Sequence, residues 1–167
     1  MTMIWRETGF VENDPWVVET EERKAGEGER RLVPLAELLE NGFDGNEGLG
    51  VVLSPFDDPA KLEPWLDRIE IVALTFNAFS DGRAFSQATL LRERLGYRGE
   101  LRAVGDVLID PLVLMLRCGF DSFAVENKTA ISRLSAGRLP SVNRHYQPSA
   151  RNTAVPGGYS WRRTAKI

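Results

Sequence analysis

From Gly50 onward the chain alternates between two kinds of segment. Val51-Val52-Leu53, Ile69 to Phe76, Leu101 to Val104 and Asp121 to Val125 are short apolar or β-branched runs of strand length. Ile69 to Phe76 has no consistently polar face, which predicts a strand buried on both sides. Between these runs the apolar residues recur at helical spacing. Leu62, Trp65 and Leu66 share one face of residues 59–66. In residues 84–96, Ala84, Ala88, Leu91 and Leu95 form a stripe, with Gln87, Arg92, Glu93 and Arg94 largely off it. Leu112 to Cys118 is apolar nearly all round. Residues 127–137 turn Ala130, Ile131 and Leu134 inward.

Successive strand–helix units predict an α/β fold: a mainly parallel sheet of about four strands, flanked by helices and joined by right-handed crossovers. The pattern leaves an open sheet and a partial barrel equally available. Ahead of these units, Ile4-Trp5-Arg6 and Asp14-Pro15-Trp16-Val17-Val18 read as one or two N-terminal edge strands, followed by a charged loop over residues 19–31. Residues 32–40 read as a short helix with Pro34 in its first turn and Gly42 past its end. Periodicity stops after Leu139-Pro140. Residues 1–146 are therefore expected to form one domain, and residues 147–167 an extended or disordered basic tail.

Two polar bursts interrupt the alternation, Asn77 to Arg83 and Gly99 to Asp106. Loops that follow parallel strands all fall on one edge of the sheet, where ligands of open α/β folds bind. That edge would present Asn77, Ser80, Asp81, Arg83, Ser86, Gly105, Asp106 and Glu126 as ligand-binding candidates. Amide groups at a helix start beside the Arg83 guanidinium suit a small anion. The same aspartates also serve as simple helix caps, worth about 1 kcal/mol each. Arg102 is a charge inside a strand and needs a partner if buried; Asp106, Asp110 or Glu100 could supply it. Asp110-Pro111 is a natural cap and first-turn pair, starting the next helix at Pro111. Arg102 and Asp110 are thus read as structural charges.

Composition narrows the class. A chain of 167 residues, 43% hydrophobic and 27% charged, has the profile of one globular domain. No apolar run approaches the roughly 18 residues of a membrane span, and Met1 to Glu7 lacks the pattern of a signal peptide, so a cytoplasmic location is expected and no membrane partner. The net charge of −3 conceals an asymmetry, for no Asp or Glu follows Glu126 whereas eight Lys and Arg do. Those charges are dispersed, which favours a solvated tail over a nucleic-acid contact. The single cysteine, Cys118, lies among apolar neighbours and reads as a small hydrophobe. The single histidine, His145, reads as a surface residue. No P-loop, G-x-G-x-x-G, CxxC or H-E-x-x-H motif occurs, and no metal site is expected.

The central block does carry a family resemblance. Phe79-Ser80-Asp81-Gly82-Arg83, Leu91-Arg92-Glu93-Arg94, Gly96-Tyr97, Gly99 to Ala103, Gly105-Asp106-Val107-Leu108 and Arg117 to Phe123 resemble a bacterial family of unknown function, the domain of unknown function numbered nine-three-four. Weaker similarity reaches Asp14-Pro15-Trp16, Leu49-Gly50-Val51 and Tyr146-Gln147-Pro148. Genes of that family tend to adjoin those of assimilatory sulfite reductase, and its members are often labelled probable oxidoreductases of sulfite reduction. This chain departs from the family pattern at Asn77, Ala84 and Pro111, where proline, glycine and glutamine are usual. The resemblance implies an accessory or small-anion-binding protein of sulfite assimilation, with sulfite reductase components as candidate partners. The alternatives are an enzyme acting on a phosphorylated or sulfonated small molecule at the same edge, and a docking scaffold for the reductase. The sequence names no cofactor.

Overall fold

The computed structural model of the chain describes residues 2–18, 25–43, 48–78 and 81–139. The strands are β1 (Met3–Arg6), β2 (Gly9–Phe10), β3 (Trp16–Val18), β4 (Arg30–Pro34), β5 (Leu49–Leu53), β6 (Ile69–Phe76), β7 (Glu100–Gly105) and β8 (Ser122–Val125). The helices are α1 (Leu35–Asn41), α2 (Arg83–Thr89), α3 (Leu112–Arg117) and α4 (Lys128–Ser135). A 3-10 segment covers Pro59–Trp65, and a π turn, Leu90–Arg94, continues α2. The fold is α/β, but the sheet has eight strands, not about four, in the order β2-β1-β8-β7-β6-β5-β4-β3. From β3 to β8 every pairing is parallel, whereas β1 joins β8, and β2 joins β1, antiparallel.

The connection between the two sheet edges dictates the shape. β2 and β3 are the outermost strands, yet only residues 11–15 lie between them in sequence. Six extended Cα steps from Phe10 to Trp16 reach about 21 Å at most. Seven interstrand gaps of a flat sheet would need about 34 Å. The sheet therefore curls into a half-barrel that brings its edges towards each other, and residues 11–15 form a strap between them.

All the described helices pack on one face. Their buried residues, among them Leu38, Ala88, Leu91, Leu112, Met115 and Leu134, share a core with Val51, Val72, Leu74, Leu101, Ala103 and Phe123 of the strands. The other face holds a smaller cluster with no helical member, built from Leu32, Ile71, Ala73, Val104 and Ala124 with Ile4, Trp16 and Val52 against it. The inner side mixes small residues with large ones such as Val52, Ile71 and Val104. Along β5, β6 and β8 the inner positions include Gly50, Ala73, Ser122 and Ala124, alternating with Val51, Leu74, Phe123 and Val125. Gly50 is required by contact: a Cβ there would run into the ring of Trp16 and the side chain of Leu32.

Three local expectations are corrected. Residues 32–34 belong to β4 and not to a helix, because pairing with β3 and β5 holds them extended and Pro34, at φ −60° and ψ 144°, ends the strand and precedes α1. Arg30 and Arg31 likewise leave the charged loop for β4. Gln87 and Arg92 are not on a wet face. The Gln87 amide donates to the carbonyls of Ser54 (2.8 Å) and Asp57 (2.9 Å). Arg92 donates to the carbonyls of Gly119, Tyr97 and Gly99 and pairs with Asp121, tying the π turn to the starts of β7 and β8. The tail from residue 147, with His145, lies outside the described residues. Among the described residues, no helix is long and apolar enough to cross a membrane.

Two predictions follow from this packing. Gly50→Val must displace Trp16 from the inner face, and overpacking of this kind costs about 1–3 kcal/mol; a lower midpoint in urea unfolding with unchanged slope is the expected result. Cys118 is half-buried at the end of α3, and burial pushes its thiol pKa up, which the hydrogen bond with Thr89 only partly offsets. The thiolate is the reactive form. Labelling of native protein by a disulfide reagent should therefore run well below the rate measured after unfolding.

Candidate functional site: a cavity on the inner face

The register of the sheet lays the inner face out in rows. Ala73, Arg102, Ser122 and Arg6 are successive partners across β6, β7, β8 and β1. Glu100 stands two residues before Arg102 on the same face of β7. These residues and Asp14 of the strap make one charged network. The Arg102 guanidinium spans both oxygens of Asp14 (2.6 and 2.7 Å) and donates to Glu100 Oε1 (2.7 Å) and Ser122 Oγ (3.1 Å). Arg6 pairs with the other Glu100 oxygen at 2.5 Å, and Ser122 donates to Glu100. Arg102 is 1% exposed. Burial alone would lower its pKa, but the hydrogen bond to Asp14 and the charges of Glu100 and Asp14 outweigh it and hold the guanidinium above its usual value. The charge is thus locked in place.

One row nearer the carboxyl ends of the parallel strands lie Thr75, Val104, Ala124 and Ile4. Above them the network leaves a cavity of about 830 Å³, closed on its other sides by the strap and β3. Its inner wall is apolar, made by Ile4, Trp16, Leu32, Val104 and Ala124. Its rim is polar: Thr2, Glu12, Asn13, Gly105 and Glu126. Thr2 Oγ1 donates to Glu126 Oε1 at 2.6 Å, joining the start of β1 to the end of β8. Gly105, at φ +87°, ends β7 where a Cβ would collide with the Phe76 carbonyl, so only glycine lets the chain leave the sheet there.

Of the eight ligand-binding candidates named in the sequence, the structure brings Gly105 and Glu126 to this cavity, where Arg102, read as a structural charge, also lies. Asn77 and Asp106 are exposed beyond the ends of β6 and β7. Asp81 accepts a hydrogen bond from the Arg83 amide (3.1 Å), and its carboxylate lies 3.7 Å from the Arg83 guanidinium. Arg83 is half-exposed and stacks 4.3 Å from the ring of Phe56. Ser86 faces a separate shallow depression of about 460 Å³ along the outside of α2. Ser80 lies outside the described residues. Asp110 is exposed, 4.0 Å from Arg133, and its side chain makes no cap bond to α3. It does not reach Arg102. Asp14, Glu12, Trp16 and Thr75 were not recognisable as site residues. Their common place results from the strap crossing the sheet, which joins Asp14 to a residue 88 positions away.

Residues 50–156 match the family model of a bacterial protein of unknown function, DUF934. The chain belongs to this family. The matched span begins at the glycine beneath Trp16 and takes in β6, β7 and β8, so the family's sequence pattern covers the central strands of the sheet and Arg102 itself. No curated protein and no solved structure matches the chain.

The two arginines should behave in opposite ways. Arg102→Ala strands Asp14 and Glu100 in a buried setting and should cost about 3–5 kcal/mol in chemical unfolding. Arg83→Ala removes only a solvent-exposed stacking and ion-pair contact, worth about 1 kcal/mol or less. Equal losses in the two variants would contradict the network described.

Proposed function

We propose that this protein binds a small molecule in the inner-face cavity, as an accessory component in the sulfite-assimilation setting that the family resemblance implies. The supporting observation is the cavity. Its volume of about 830 Å³ lies in the range of small-molecule and cofactor sites. An apolar wall with a few polar groups at one end is the usual composition of such sites. It also opens at the carboxyl ends of the parallel strands, where α/β folds place their ligands.

The edge around Arg83 supports a bare anion less well. Asp81 already accepts the Arg83 amide and lies close to its guanidinium, so a carboxylate occupies the ground that an incoming anion would need. A phosphorylated or sulfonated substrate in the cavity meets a similar difficulty. The one cationic side chain among its described lining residues is Arg102, which is committed to Asp14 and Glu100.

A thermal-shift and calorimetric screen against sulfite, sulfate, phosphate, nucleotides and a set of small organic molecules tests the reading. Organic ligands should stabilise the wild type and lose their effect in Thr75→Trp, which fills the cavity from β6. A saturable response to sulfite or phosphate that survives Thr75→Trp and is lost in Arg83→Ala would return the site to the α2 edge.

A further inference from the structure

We propose that the ligand of this cavity is an organic ammonium ion with an apolar body, an inference that rests on the cavity being a ligand site. Among the described lining residues three carry carboxylates, Glu12, Asp14 and Glu126, against the single guanidinium of Arg102. Asp14 and Arg102 neutralise one another at the base of the cavity. What remains is at the rim. Glu126 accepts one hydrogen bond from an uncharged hydroxyl, that of Thr2, and Glu12 meets no cation among the described residues. The rim is therefore negative and the base neutral.

This arrangement separates charge from apolar surface along the depth of the cavity. An apolar body can lie against Trp16, Leu32, Val104 and Ala124, leaving its charged end at Glu12 and Glu126. A carboxylate, sulfate or phosphate at that end would face two like charges with no free cation among the described residues to offset them, and repulsion of this kind excludes the wrong ligand as effectively as attraction selects the right one. A bare metal ion is also a poor match: no group of three or more potential ligand side chains occurs among the described residues, and a metal would leave the apolar wall uncovered. An ammonium group with a hydrocarbon or aromatic body satisfies both parts.

Three probes of one size and different charge decide the matter: 2-phenylethylamine, 2-phenylethanol and 3-phenylpropionate, titrated against the full chain by calorimetry or ligand-observed NMR. The amine should bind most tightly and the carboxylate most weakly. Glu126→Gln and Glu12→Gln should each weaken the amine by up to about five-fold, the scale of a partly exposed ion pair, and leave the alcohol nearly unchanged. Thr75→Trp should abolish binding of all three probes, with Ala124→Leu as a milder second block and circular dichroism to confirm that both fold. If the alcohol or the carboxylate binds as tightly as the amine, and the blocking variants remove it, the ammonium assignment is wrong and the cavity reading stands. If no probe binds, or binding survives both blocks, the cavity is not the site and both readings fall.

Discussion

The contact between Asp14 and Arg102 joins a five-residue strap to the centre of the sheet, and the shape of the molecule depends on that link. A strap too short to cross a flat eight-stranded sheet forces the curl. The curl creates an inner face, on which Gly50 leaves room for the Trp16 ring and Ala73, Ser122 and Ala124 keep the neighbouring positions small. Once the edges approach, the strap passes over the inner face, where Arg102 waits with a planar fork of donors. Arginine suits this position better than lysine, because a bidentate carboxylate contact fixes direction as well as distance.

Energetically the network is costly to build and costlier to break. Withdrawing Arg102, Asp14 and Glu100 from water carries a desolvation penalty of several kcal/mol per ion, and the mutual contacts offset it only because nearly every polar atom is used. Ser122 and Arg6 complete that satisfaction by engaging Glu100 from β8 and β1. An apolar cluster of equal volume could give similar stability. It would not specify which part of the strap meets which strand. The ionic arrangement fixes the strap's register over the sheet, and with it the position of Glu12 and Asn13 on the cavity rim.

The central strands were legible because their signal is local. The run Ile69 to Phe76 is bounded by polar turns and coincides with β6. Gly105 and Glu126 could be placed near a ligand edge because each directly follows the apolar stretch of a strand. The first fifty residues were harder. Leu32, Leu35 and Leu38 mimic helical spacing across Pro34, although the chain changes there from strand to helix; local periodicity averages over such a boundary, and pairing with β3 and β5 decides it. The strap was opaque for a different reason. Residues 11–15 have no periodicity, and Asp14 gains its meaning from a partner on the far side of the chain. One signal did exist. Gly50, Ala73, Ser122 and Ala124 are small residues set between larger outward ones, a local mark of close approach on one face of the sheet.

Placing every described helix on one face has a consequence for where a ligand can sit. In a sheet covered by helices on both sides, only the strand ends are accessible, and a site must be assembled from loops. Here the inner face itself is available, so the walls of the cavity are strand residues whose positions are fixed by the backbone ladder. Thr75 and Val104 are held together by parallel pairing, and Ala124 and Ile4 by the antiparallel pairing of β8 with β1. Walls on paired strands are more rigid than walls on loops, which lowers the entropy lost when a ligand is immobilised. The rim is built differently: Glu12 and Asn13 stand on the strap and Glu126 follows β8, all three exposed to solvent. The division between an apolar wall on paired strands and an acidic rim on the strap and strand ends follows from one short connection between the edges of a sheet.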